Sequence, residues 1–212
     1  MDVFGEEWHN HDQKLALNWD RIVKPEDTVL IAGDTSWAMR LTEAIPDFEW
    51  IAARPGRKIM SKGNHCYFWS TQRKMREILD PLGIEPLNAD CTMVGGTAIA
   101  ATRGWITPSD PRFDPDKDQV VYQREIQRLE RALSRVPEDA EQVIAMLHFP
   151  PYANQGEETE FIKLLIDHAV DIVVYGHLHG RYLQNVLTGI HWNMKFYCVS
   201  ADYLDFTPCR IL

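Results

Sequence analysis

The ten residues IVVYGHLHGR, Ile172 to Arg181, run from an apolar stretch straight into two histidines set among glycines. Four apolar residues bounded by turn formers read as a buried strand. Residues two apart on an extended chain share a face, so His177 and His179 can reach one small object together. A strand that ends by delivering ligand-type side chains into a tight turn belongs to a sheet whose working edge is the carboxyl end of its strands.

The same pattern recurs upstream. DTVLIAGD, from Asp27, is a short strand that stops at Gly33 and Asp34; RKIMSKGN, from Arg57, stops at Gly63 and Asn64 with His65 next; QVIAMLHF, from Gln142, stops at His148. Between these strands lie helical patterns over Glu6–Val23 (stripe Trp8, Leu15, Trp19, Ile22), from a Ser36 cap to about Arg54, over Thr71–Leu82, over Asp116–Val136 and over Glu157–Ala169. CTMV and TAIAATR, around Gly95-Gly96, read as a hairpin, and NVLTGIHW, KFYCVSADY and CRIL at the end read as further β-structure. Alternating strands and helices followed by a β-rich end predict an α/β fold, α+β in some schemes, with part of the sheet parallel and covered on both faces.

One such side chain would be a routine core or surface histidine. Asp34, Asn64, His65, His148, His177 and His179 together on one rim are a donor set for a borderline divalent cation such as Mn²⁺, Fe²⁺ or Zn²⁺. The glycines at 33, 63, 176 and 180 allow tight turns beside it.

The remaining composition sets bounds. The chain has 212 residues, 45% hydrophobic and 25% charged, with a net charge of -9. One domain over 1–212 is expected. The negative field and the lack of a Lys/Arg cluster argue against general nucleic-acid binding. No apolar run of about 20 residues and no basic-then-apolar leader are present, so no membrane span and a cytoplasmic location are expected. Cys66, Cys91, Cys198 and Cys209 form no C-x-x-C pair and read as reduced thiols.

GD at Gly33-Asp34, GNH at Gly63 to His65, the lone His148 and GHLH at Gly176 to His179 occur in the order of the calcineurin-like metallophosphoesterase motifs. GDTSWAMRLTEA, KGNHCYFWS, TRGW, HFPP and VVYGHLHG resemble one bacterial subgroup of that family, over nearly the whole chain. The resemblance implies a four-layer αββα sandwich and hydrolysis of a phosphomonoester or phosphodiester. It implies a two-metal centre, most readily Mn²⁺, in which Asp34 bridges, Asn64, His148 and His177 complete one site and His179 belongs to the other. His65 would stabilise the phosphoryl oxygens or protonate the leaving oxygen. Two ions about 3.5–4 Å apart can polarise a phosphate and generate hydroxide near neutral pH, so no protein nucleophile is required. The implied partner is a phosphorylated small-molecule or nucleotide-like substrate.

The sequence departs from the family at two places. The opening strand with Asp-x-His is not found before Gly33, which leads us to expect an N-terminally truncated domain, through a late start codon or a real loss. The neighbouring strand would then expose apolar groups and unpaired backbone, each buried unpaired group costing about 1–3 kcal/mol. The first ion would keep Asp34 and His179 alone, so at most one ion is firmly held and a weak or inactive metal-binding or scaffold homologue is the alternative. His9, His11 and Asp12 sit in a predicted helix, with His11 off the face of the other two, and are poor substitutes. An amidohydrolase-like enzyme fits less well, because its His-x-His is not on a strand here. Second, Cys66 stands where an acidic residue usually follows Asn-His; a neutral variant is favoured over a redox role. Arg103 either contacts a substrate phosphate or makes a structural ion pair. Trp37, Phe68 and Trp69 read as core rather than as a wall for the leaving group, and Pro150-Pro151 as a turn after His148.

Overall fold

The computed structural model describes residues 5–154 and 156–212. Its strands are β1 (Thr28–Ile31), β2 (Arg57–Met60), β3 (Ile84–Pro86), β4 (Asp90–Val94), β5 (Thr97–Thr102), β6 (Gln142–Leu147), β7 (Ile172–Tyr175), β8 (Gly189–His191) and β9 (Met194–Cys198). The helices are α1 (His11–Ile22), α2 (Ile45–Ala52), α3 (Gln72–Leu79), α4 (Pro115–Leu133) and α5 (Glu160–Asp167).

One sheet has the order β1-β2-β3, all parallel. The other has the order β4-β5-β6-β7-β9-β8, parallel from β5 through β9 with antiparallel strands at both margins. Three apolar clusters cement the layers. Trp19, Phe48, Ile51, Met60, Met75 and Leu79 bind α1, α2 and α3 to the outer face of the small sheet. Ile59, Ile99, Ile144, Met146, Ile172 and Val174 fill the space between the sheets. Tyr122, Leu129, Leu133, Phe161, Leu165 and Val173 bind α4 and α5 to the outer face of the large sheet. Alternation along β6 and β7 sends Ala145 and Val173 outward and Ile144 and Val174 inward, so each strand is apolar on both faces as a doubly covered strand must be. The result is the mixed α/β, two-sheet sandwich expected from the sequence.

Local details differ from the sequence reading for identifiable reasons. The first helix is interrupted: a 3-10 turn at Glu6–Trp8 is followed by left-handed Asn10 (φ 53°), and α1 begins only at His11. Ser36 does not cap a helix; its Oγ accepts the Ala38 amide at 3.1 Å in a local turn. The helix starts at Ile45, where Pro46 supplies the preset φ of a first turn. Thr71 caps α3 as its position suggests, accepting from the Lys74 amide. The terminal CRIL pairs with no strand among the described residues; the Ile211 carbonyl takes the Tyr197 hydroxyl at 3.3 Å instead.

β1 forms a ladder with β2 alone among the described residues. Along its other edge lies a cleft of about 1490 Å³ lined by Val29, Ile31 and Ala32, by Ile144 and Val174 of the facing sheet, and by Ile211. Asp34, His65, His148, His177 and His179 line the same cleft. No described helix is long and apolar enough to cross a membrane.

Candidate metal centre

Parallel register aligns the ends of β1 and β2 in the small sheet, Ile31 level with Met60, and of β6 and β7 in the large one, Leu147 level with Tyr175. Packing of the two sheets brings both pairs of ends to one rim, where His148 reaches Ala32 and Asn64. The chain leaves each strand through a tight turn that carries a polar side chain. Gly33 and Gly63 make the close approach possible. A Cβ on Gly33 would lie 2.5 Å from the Gly63 nitrogen, and one on Gly63 would lie 2.0 Å from Asp34 Oδ1. Asp34 (φ 54°) and His177 (φ 70°) both hold left-handed backbone, a conformation that costs a non-glycine residue about 1 kcal/mol or more and that persists only where the surroundings impose it.

The side chains meet. His148, 1% exposed, points Nδ1 at the Ala32 carbonyl (2.8 Å), joining the two sheets. Its Nε2 lies 2.7 Å from Asn64 Oδ1, 3.2 Å from Asp34 Oδ2 and 3.2 Å from His177 Nδ1. His177 Nδ1 is also 3.0 Å from Asn64 Oδ1. A carbonyl can only accept, so Nδ1 of His148 carries the proton of that bond. In a neutral ring Nε2 would then turn its lone pair against two oxygen atoms, with Asn64 oriented as it is here. The arrangement calls for a positive centre among Nε2, Asn64 Oδ1 and Asp34 Oδ2, which a proton or a divalent cation supplies. The chemistry of these donors, two oxygens and two imidazoles, suits a borderline cation. The atoms touch one another rather than standing off around a centre, and no group of three or more His, Cys, Asp or Glu side chains among the described residues has the arrangement of a metal cluster.

His177 and Asp34 are each held in the form in which it could bind a cation. Burial, reinforced by the His148 charge, pushes His177 down to about 3, so its ring is neutral near pH 7. Burial works to raise the Asp34 carboxyl, but the His148 hydrogen bond and charge and the His65 amide outweigh it and hold it below the ordinary value. That amide donates to Asp34 Oδ1 at 2.8 Å. The His65 ring stands at the rim, its Nδ1 3.2 Å from the Tyr67 hydroxyl and its face 5.4 Å from the Trp37 ring. Trp37 and Tyr67 are both exposed, so Trp37 is not a core residue, whereas Phe68 is buried and Trp69 packs on the small-sheet cluster. Cys66 is buried, takes the Gly63 amide at 3.2 Å, and is pushed by burial up to about 11; it is a neutral thiol and brings no charge to His65. All four cysteines are free thiols.

His179 stands apart from the Asp34–Asn64–His148–His177 cluster. Its Nδ1 lies 2.7 Å from Asp202 Oδ1, and the Trp8 ring meets it edge-on at 5.4 Å. Burial works against the Asp202 carboxylate, but the His179 hydrogen bond and the Gly180 amide keep its pKa below the ordinary value. His11 and Asp12 line the cleft too, but His11 Nδ1 is held by the Trp8 carbonyl at 3.0 Å. Arg103 is engaged by the fully buried Glu125 at 2.9 Å and lies over the Trp105 ring at 4.3 Å. Arg112, by contrast, lines the cleft, fixed by two bonds to Asp110 (2.9 and 2.6 Å) and stacked 4.8 Å from the Tyr182 ring. Neither Arg112 nor Asp202 carried a motif of its own, although each lies in a segment, Gly104 to Pro115 or the C-terminal ADYLDFTP, that reads from the sequence as shaping the pocket.

Comparison with known proteins gives three findings. The calcineurin-like phosphoesterase family model matches residues 7–181. The "Gene 66 protein" of Mycobacterium phage L5 is 46% identical over 55 residues, 26% of this chain and 26% of that protein, so the match spans about a quarter of that relative. The crystal structure of TT1561 of Thermus thermophilus superposes with a TM-score of 0.49 at 13% identity, covering 81% of this chain and 77% of that one.

Proposed function

The chain belongs to the calcineurin-like phosphoesterases, and on that premise we propose that it hydrolyses a phosphomonoester or phosphodiester with a divalent cation held by Asp34, Asn64, His148 and His177. Mn²⁺ is the preferred ion, with Fe²⁺ or Zn²⁺ compatible with the same donors. His179 and Asp34 would serve a second ion. The observation that carries the reading is the convergence of His148 Nε2 on Asn64 Oδ1 and Asp34 Oδ2 while its Nδ1 is committed to a backbone carbonyl.

A bound divalent ion would supply Lewis acidity, polarising the phosphoryl oxygen and acidifying the attacking water. The protein's own groups do the rest. The Asp34 carboxylate draws the His65 amide onto Oδ1, which fixes the start of the turn that carries the His65 ring. With Nδ1 of His65 on the Tyr67 hydroxyl, Nε2 is the atom that gives a proton to the leaving oxygen. Trp37 and Tyr67 flank that ring and offer an aromatic wall to the leaving group, and Arg112 offers a guanidinium edge to a phosphate oxygen. Arg103, bound to Glu125, serves the fold rather than the substrate.

The test is metal titration with hydrolysis of a generic aryl phosphodiester. Wild-type protein should bind Mn²⁺ and turn over, and Asp34→Asn should lose Mn²⁺-stimulated hydrolysis. Turnover retained in Asp34→Asn would remove the bridging role. The alternative, a weak or silent metal-binding homologue, follows from the sparse donors offered to the second ion; binding of one Mn²⁺ without turnover would select it.

A further inference from the structure

We infer that Asp202 is a positioning residue that fixes the tautomer and orientation of His179 for metal binding; this rests on the metal-centre reading above. Asp202 follows β9, the neighbour of β7 in the large sheet, so the two strand ends bring it beside the GHLH turn. Its side chain is 3% exposed. Both oxygens are used: Oδ1 meets His179 Nδ1 at 2.7 Å and accepts the Tyr203 amide at 3.1 Å, and Oδ2 accepts the Gly180 amide at 2.9 Å. A carboxylate only accepts, so the Nδ1 of a neutral His179 must carry the proton. That leaves Nε2 as the sole lone pair of the ring, the form a cation needs. The Gly180 bond has a second effect, because it ties the turn that holds His179 to the same carboxylate. Trp8, edge-on at 5.4 Å, limits ring rotation from another side. A carboxylate behind a ligand histidine raises its basicity and removes the entropy of ring flipping on binding.

The experiment combines two readouts on the full chain. Long-range ¹⁵N NMR of the metal-free wild-type protein should show His179 as the Nδ1–H tautomer; an Nε2–H tautomer would overturn the assignment. Mn²⁺ titration calorimetry should show the weaker binding step reduced about 10–100-fold in Asp202→Asn and in Asp202→Ala. The same substitutions made on His179→Ala should produce no further loss, which a merely structural role of Asp202 would not give. Affinity within twofold of wild type in folded Asp202→Asn, or a wild type that binds a single Mn²⁺ unaffected by His179→Ala, would also overturn the inference. If the variants do not fold, the wild-type tautomer decides. Absence of any Mn²⁺ binding by wild type would refute the metal reading while the NMR result still decides the Asp202–His179 pairing.

Discussion

Replacing Glu125 should cost this fold a large part of its stability. Glu125 on α4 is fully buried; its Oε1 takes Arg103 at 2.9 Å and Arg128 at 2.6 Å, and its Oε2 takes the Thr102 hydroxyl at 3.0 Å. The Arg103 side chain is 12% exposed, against 31% for Arg128, and Arg103 Nε has no hydrogen-bond partner among the described residues. Glu125→Ala would therefore leave Arg103 as a buried cation with no counter-charge, while Arg128 could turn to water. Removing one partner of a buried pair costs about 3–5 kcal/mol, a large part of the roughly 5–15 kcal/mol that holds a typical domain folded. With a urea dependence of about 2 kcal/mol per molar, the midpoint should fall by roughly 1.5–2.5 M. Urea titration followed by circular dichroism measures this. The double variant Glu125→Leu with Arg103→Met should recover most of the loss, since neither charge is then stranded. The site should respond as well: the Arg103 carbonyl accepts the amides of His148 and Phe149 at 3.0 and 2.9 Å, so loosening β5 loosens His148. A Glu125→Ala midpoint within about 0.3 M of wild type, accompanied by a changed KM, would refute the reasoning and return Arg103 to the substrate.

Gly63→Ala should abolish Mn²⁺ binding, because its Cβ would lie 2.0 Å from Asp34 Oδ1 and 2.5 Å from the Asp34 nitrogen, and backbone cannot step aside; calorimetry showing wild-type affinity would contradict the close approach. His65→Ala should keep Mn²⁺ binding and lower kcat by about 10²–10⁴; loss of metal instead would move His65 among the ligands. The metal-free protein should lose stability as pH falls from about 6.5 toward about 3. His177, pushed down to about 3 when folded, takes up its proton more readily in the unfolded chain throughout that window, so acid favours unfolding. His177→Gln should flatten this part of the stability–pH curve, and an unchanged slope would show that His177 does not cause it.

Much of the centre was legible along the chain because its signal is local. An apolar run of strand length that stops at glycine and then offers Asp34, Asn64, His148 or His177 announces both the element and the edge where its last residues lie. Parallel pairing then aligns strand ends within each sheet, so candidate ligands far apart in the chain could be grouped at strand ends without knowing any contact between them, whereas their meeting across the two sheets is a matter of packing. The helix over Pro115–Leu133 was legible for the same reason, since its helical period is written in consecutive residues.

Other features depend on where loops travel, and no local pattern encodes that. Asp202 lies in an ordinary tail sequence and matters only because β9 runs beside β7; Arg112 matters because its loop bends back over the cleft to Tyr182. The fate of Arg103 turned on Glu125 of α4, which reads as one more charge on an amphipathic helix until packing against β5 removes its water. Ser36 and CRIL misled because cap and strand propensities are small energies that turn chemistry and burial readily override. The sequence by itself settled which residue types stand at the strand ends, because strand period and turn chemistry act between neighbours in the chain. Only the tertiary structure decided which of those side chains touch, which charges are buried and which histidine nitrogen keeps its lone pair, because these depend on groups brought together from distant parts of the polymer.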